Sequence, residues 1–166
     1  MIDQNKFEHL LPLAIQWAKA QELLILEHGT PLGGRQVEDA ARVGVRNAGR
    51  VRLLLVDRIP FPENHELAEA ARRAQIITDA SRAVTIGHGI LIRGDSWQDR
   101  GLLVHSLVHV AQFERSGGCM ESFVEVYLND RNTCASFTVG ALEEEARGMA
   151  RAICASEETA LEACVA

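Results

Sequence analysis

The stretch 102–113 reads Leu-Leu-Val-His-Ser-Leu-Val-His-Val-Ala-Gln-Phe. Apolar residues occupy almost every side of a helix wound from it, the mark of a helix buried all round. His105, Ser106, His109 and Gln112 are the exceptions. At about 100° per residue, His105, His109 and Gln112 fall within an arc of roughly 60°, and Ser106 lies roughly 60° beyond His109. An unpaired buried polar group costs on the order of 1–3 kcal/mol, so a polar stripe on a buried helix needs a partner. Two imidazoles four residues apart can share one metal ion, which satisfies both at once. The alternative is a pair of core histidines, each donating to a carbonyl or carboxylate.

Outward from this helix, the punctuation is provided by glycine and proline. Asp95 or Ser96 can cap its start, and Gly117-Gly118 ends it near Arg115. Upstream, 83–86 and 89–93 are strand-like pieces around Gly87-His88, expected as a hairpin or a pair of edge strands beside the helix. The run 51–56, VRLLLV, is a short branched apolar segment and reads as a buried strand, closed by Asp57 and the Pro60-Phe61-Pro62 turn. Helical spacing predicts helices over 10–27, with Pro12 in the first turn, over about 37–47, and over 66–74. Downstream, helices are expected over 120–128 and from about 140 to 154, separated by a polar loop at 129–133. The fold class that follows is α+β, mostly helical with a small sheet, in a single domain spanning 1–166.

Composition narrows the function classes. A chain of 166 residues, 47% hydrophobic, can bury one ordinary core. The net charge of −6 argues against a nucleic-acid partner, which requires clustered excess Lys and Arg. No apolar run reaches the length of a membrane span, and the N-terminus lacks the pattern of a signal peptide, so a cytoplasmic location is the default expectation. Cys119, Cys134, Cys154 and Cys164 show no Cys-x-x-Cys spacing and read as free thiols.

A metal site on two histidines needs a third ligand, commonly a carboxylate, with a position left open. The last helix offers Glu143, Glu144 and Glu145. Its apolar face comprises Leu142, Ala146, Met149 and Ile153, so Glu144 points almost opposite the core, while Glu143 and Glu145 each flank it by about 80°. Helix phase leaves both in play. Glutamates near a helix N-terminus also complement the macrodipole on a solvated face, which requires no metal.

Three segments together resemble the HExxH zinc metallopeptidase superfamily in its gluzincin-like branch, in particular small uncharacterised bacterial proteins. They are Thr85-Ile-Gly-His-Gly-Ile90, His105-Ser-Leu-Val-His109-Val-Ala-Gln112 with Phe113-Glu114-Arg115, and Leu142-Glu-Glu-Glu-Ala146, within about two fifths of the chain. The resemblance implies a zincin-like fold and a Zn2+ ion on His105, His109 and Glu143. It also implies a peptide or small-molecule substrate in a cleft beside 84–93. Two departures stand out. Ser106 replaces the glutamate that serves as general base in HExxH enzymes, a loss of roughly 10²- to 10⁴-fold in rate. Arg147 stands where many relatives carry an aspartate that orients a histidine ligand. The expectation is a zinc-binding, metallopeptidase-like protein with weak or absent peptidase activity. An active hydrolase with a base relocated to Glu145 or Glu114 is one alternative, and a metal-free structural or partner-binding domain is the other.

The remaining candidates have simpler readings. His88, between two glycines, is expected as an exposed turn residue, with a donor or ligand role as the alternative. His9, His28 and His65 read as surface residues, Trp17 and Trp97 as packing residues, and Cys119 and Cys134 as small buried hydrophobes. Arg42, Arg46, Arg50 and Arg52 read as a solvated face.

Overall fold

A computed structural model describes residues 4–133 and 140–165, without the side chains of Thr133 and of 157–165. It is an α+β arrangement of helices around a four-stranded mixed sheet. Helix α1 (Gln4–His28) leads into β1 (Thr30–Pro31), α2 (Gly34–Arg42) and β2 (Arg52–Val56). Helix α3 (His65–Arg73) precedes the hairpin β3 (Ala83–Ile86) and β4 (Gly89–Arg93). Then come α4 (Arg100–Arg115), α5 (Met120–Thr133) and α6 (Ala141–Val165). The strand order is β1-β2-β4-β3, with β2 and β4 parallel (Leu54 opposite Leu91) and β3 antiparallel to β4 (Thr85 opposite Ile90). The hairpin therefore places β4 in the sheet interior and leaves β3 as the edge. No described helix is long and apolar enough to cross a membrane.

Helix α4 is the centre of the core. Val104, Leu107, Val108 and Val110 are fully buried, packed with Ile90 and Ile92 of the sheet and with Ala146, Ala150 and Ile153 of α6. That sandwich explains why its sequence is apolar all round: sheet and helices cover it on opposite sides.

Several boundaries differ from those read in the sequence, each for a local reason. Helix α1 begins at Gln4, because Phe7 and Leu10 extend its buried face, so Pro12 lies inside the helix rather than in its first turn. Helix α2 stops at Arg42, since Gly44 adopts φ 91° and the amide of Val45 bonds back to the Ala40 carbonyl. Helix α4 is capped by Asp99, whose carboxylate accepts the Leu102 amide at 2.9 Å, while Asp95 is engaged by the Arg93 guanidinium at 2.7 and 2.8 Å. The expected loop at 129–133 is the last turn of α5. Trp97 is 49% exposed, so it is no core residue, whereas Trp17 packs against the apolar clusters around Leu10 and Ile77, as expected. Cys119 is exposed and Cys154 partly buried, both as free thiols; Cys134 and Cys164 lie outside the described side chains.

Candidate metal centre

Helix spacing puts His105 and His109 one turn apart on the face of α4 that looks toward α6, and Glu143 comes in from the first turn of α6. The Nε2 atoms of His105 and His109 are 3.1 Å apart; Glu143 Oε2 is 3.5 Å from the first and Glu143 Oε1 3.3 Å from the second. A tetrahedral zinc ion with ligand bonds of about 2.0–2.1 Å separates its ligand atoms by about 3.3–3.4 Å. The three contacts are of that size, with the carboxylate meeting each imidazole through a different oxygen. Glu144 is exposed and takes no part, and Glu145 is engaged elsewhere.

The surrounding residues determine which ring nitrogen of His109 faces this centre. Gln112 Nε2 donates to the Leu142 carbonyl at 2.9 Å and to Glu145 Oε2 at 2.8 Å, so its Oε1 must be the atom 2.8 Å from His109 Nδ1. An amide oxygen can only accept. His109 Nδ1 therefore carries a proton, which leaves Nε2, facing His105 and Glu143, as the ring nitrogen that can give its lone pair to a metal ion. Arg115 Nη2 holds both oxygens of Glu145 at 2.7 Å and so anchors the chain from outside. Burial opposes the charge on Glu145, but the Arg115 guanidinium and the Gln112 amide outweigh it and keep the carboxyl below the usual range. Arg115, Glu145 and Gln112 thus form a chain of contacts that ends on His109 Nδ1. Replacing Gln112 with alanine is expected to lower metal affinity by roughly 10- to 100-fold while leaving the fold intact, measured by competition with a chromogenic chelator.

Glu143 is held ionised. Burial pushes its carboxyl upward, but contacts with the two imidazoles and the Tyr127 hydroxyl more than offset this and bring it well below the carboxylate range. Tyr127, on α5, donates to Glu143 Oε1 at 2.7 Å. Burial, then the Glu143 charge, drive the Tyr127 hydroxyl far above its ordinary value, so it remains a donor at any physiological pH. No sequence feature singles out Tyr127; it lies in a helix whose packing partner cannot be read from spacing alone.

Ser106 is buried, and its hydroxyl donates to the Leu102 carbonyl of its own helix at 3.0 Å. It makes no hydrogen bond to His109, so the two do not form a nucleophile–base pair. The two residues considered for a relocated base are placed away from such work. Glu145 is occupied by Arg115 and Gln112, and Glu114 is buried in a separate cluster.

That cluster overturns the expectation that His88 is exposed. His88 is buried, with Nε2 3.0 Å from Glu114 Oε1 and Nδ1 3.9 Å from Glu22 Oε1. Glu114 also accepts the backbone amides of Arg46 at 2.6 Å and Asn47 at 3.0 Å, and the Asn47 side-chain amide at 3.0 Å. Gly87 turns at φ 61°, and a Cβ there would sit 2.0 Å from the Glu22 carboxylate, so the glycine lets α1 close over the hairpin. His88 and Glu114 tie α1, the hairpin, α4 and the segment after α2 together, apart from the three-residue centre. Arg46 takes part through its backbone and its guanidinium, which donates to the Glu114 carbonyl at 2.6 Å, and is not merely solvated.

A cleft of about 1110 Å³ opens over the centre, bordered by β3 on one side and by α5 and α6 on the other. Among the described residues, His105, His109 and Glu143 are the one group of three or more His, Cys, Asp or Glu placed to hold a metal ion. Compared with family models, with curated proteins and with solved structures, the chain finds no match.

Proposed function

We propose that the chain is a zincin-like, metallopeptidase-related protein that holds Zn2+ through His105, His109 and Glu143 and has weak or no peptidase activity. The observation that carries this reading is the donor set: two imidazole nitrogens and a carboxylate within 3.1–3.5 Å of one another, close to the spacing of zinc ligands, with His109 Nε2 turned inward by the Gln112 contact at Nδ1. A divalent cation would engage all three groups at once. When bound, zinc would supply Lewis acidity to a substrate carbonyl at the cleft floor. The chain's own contribution is to orient the ligands and to exclude water behind them. The free edge of β3 could receive an extended peptide.

The proton-transfer group is missing. A serine hydroxyl has no basicity at neutral pH, and Ser106 is already bonded to its helix. Glu143 is the only carboxylate lining the cleft among the described residues. This favours a silent or feeble site over an active hydrolase with a relocated base.

The test is metal content. Protein purified without added zinc is expected to carry close to one equivalent, measured by mass spectrometry of the metal. His105→Ala should abolish it, and Glu143→Gln should lower it while Glu144→Gln does not. Less than about a tenth of an equivalent, unchanged in His105→Ala, would return the histidines to the core and the chain to a metal-free binding or structural role.

A further inference from the structure

The cleft carries a charge opposite to that of the chain. Lys6 of α1, Arg73 of α3, Arg82 just before β3, Arg131 of α5 and Arg147 of α6 line it; Glu143 is the sole acid among the described lining residues. The cleft thus takes five of the 17 Lys and Arg but one of the 23 Asp and Glu, in a chain of net charge −6. Such a bias is not what an acidic surface yields by default. Four helices and the segment before β3 contribute one cation each, so no single basic run accounts for it.

Most of these cations are not engaged by the protein itself. Lys6, Arg73 and Arg147 are exposed, and no ion pair engages them among the described residues. Arg82 pairs with Asp99 at 2.9 Å, and Arg131 donates to the Ala74 carbonyl at 2.6 Å. Arg147 stands one turn beyond Glu143 on the same helix, and Arg131 one turn beyond Tyr127, so both lie beside the centre. The same cleft is lined by the apolar side chains of Trp17, Ile76, Val124 and Leu128.

The geometry points to an acidic peptide as the occupant of this cleft: apolar side chains against its apolar lining, carboxylates toward its cations. Low-dielectric walls focus the field of such a set of charges and raise both the capture rate and the selectivity for negative charge. A compact anion would leave most of the apolar lining and the length of the cleft unused. The assignment rests on the zinc reading only for the identity of the centre, not for the sign of the charge.

Two fluorescent peptides of equal length and apolar content, one with glutamates and one with lysines at the same positions, decide it by anisotropy titration. The acidic peptide is expected to bind at least roughly tenfold more tightly at low salt, with the gap narrowing as the Debye length falls to about 8 Å at physiological ionic strength. Arg73→Glu and Arg147→Glu, both at exposed positions, should each weaken the acidic peptide and strengthen the basic one, with unchanged circular dichroism. Equal or no binding, or a preference indifferent to both reversals, overturns the inference. Full displacement by inorganic phosphate at the peptide's own concentration also overturns it, in favour of a small anion. Running both zinc-loaded and chelator-treated protein separates the two readings. Acidic-peptide binding by a chain that never takes up zinc sinks the metal assignment and supports the charge assignment; full zinc occupancy without charge preference does the reverse.

Discussion

Ser106→Glu is expected to create peptide hydrolysis where the unaltered chain shows little, by roughly 10²- to 10⁴-fold, the usual contribution of a general base. The position is one residue beyond His105, on a helix that presents both imidazoles and borders the cleft. A glutamate there is long enough to extend past the helix surface, whereas the serine hydroxyl turns back to the Leu102 carbonyl. The substitution gives up that intrahelical bond, which competes with the helix more than it supports it, and places a larger, charged side chain at a buried position that borders the cleft. Ser106→Gln is the control: it has the same length, no basicity, and should remain inactive. Hydrolysis by Ser106→Glu that a chelator abolishes, with Ser106→Gln silent, assigns the missing step to the missing base. Strong, chelator-sensitive turnover by the unaltered chain would instead mean that another group accepts the proton.

Much of the centre is legible in the sequence because its signal is local. The i, i+4 spacing of His105 and His109 is a property of one helix, and helix phase within α6 is enough to exclude Glu144. The choice between Glu143 and Glu145 depends on how α6 docks on α4, which phase alone leaves symmetric. Docking resolves it through Gln112 and Arg115, which draw Glu145 away while Tyr127 and the imidazoles engage Glu143. Gln112 belongs to the polar stripe on spacing alone, yet its role as the residue that sets the His109 tautomer needs the Leu142 carbonyl opposite it.

What escapes the sequence is long-range. Glycines on both sides of His88 suggest an exposed turn, but they mark close approach of α1, where Glu22 covers Gly87. Glu114 reads as one more charged residue near a helix end. Its partners, Arg46 and Asn47, are nearly 70 positions away in the chain, and no periodicity encodes that pairing. The parallel alignment of β2 with β4 is likewise hidden, since it depends on α3 and β3 crossing between them.

The Glu114 cluster should therefore be where the fold is most easily broken. Glu114→Ala is expected to destabilise the protein by about 3–5 kcal/mol, the cost of removing one member of a buried, hydrogen-bonded charged group. Two backbone amides, the Asn47 amide and the His88 imidazole would lose their acceptor together. Burial opposes the charge on Glu114, but these donors outweigh it, and the carboxyl lies below its usual value of 4.5 in the folded state. A depressed folded value means the stabilisation is fully present above the unfolded value and is lost as pH falls through the folded one. Acid unfolding below pH 4.5 should thus be steeper for the unaltered chain than for Glu114→Gln, whose amide does not titrate and still offers one acceptor oxygen. Denaturant melts across that range measure the slopes. Parallel pH dependence in the two proteins would show that Glu114 is not the titrating anchor, and any zinc bound by the unaltered chain should be retained by folded Glu114→Gln if the cluster and the proposed metal centre are separate devices on one helix.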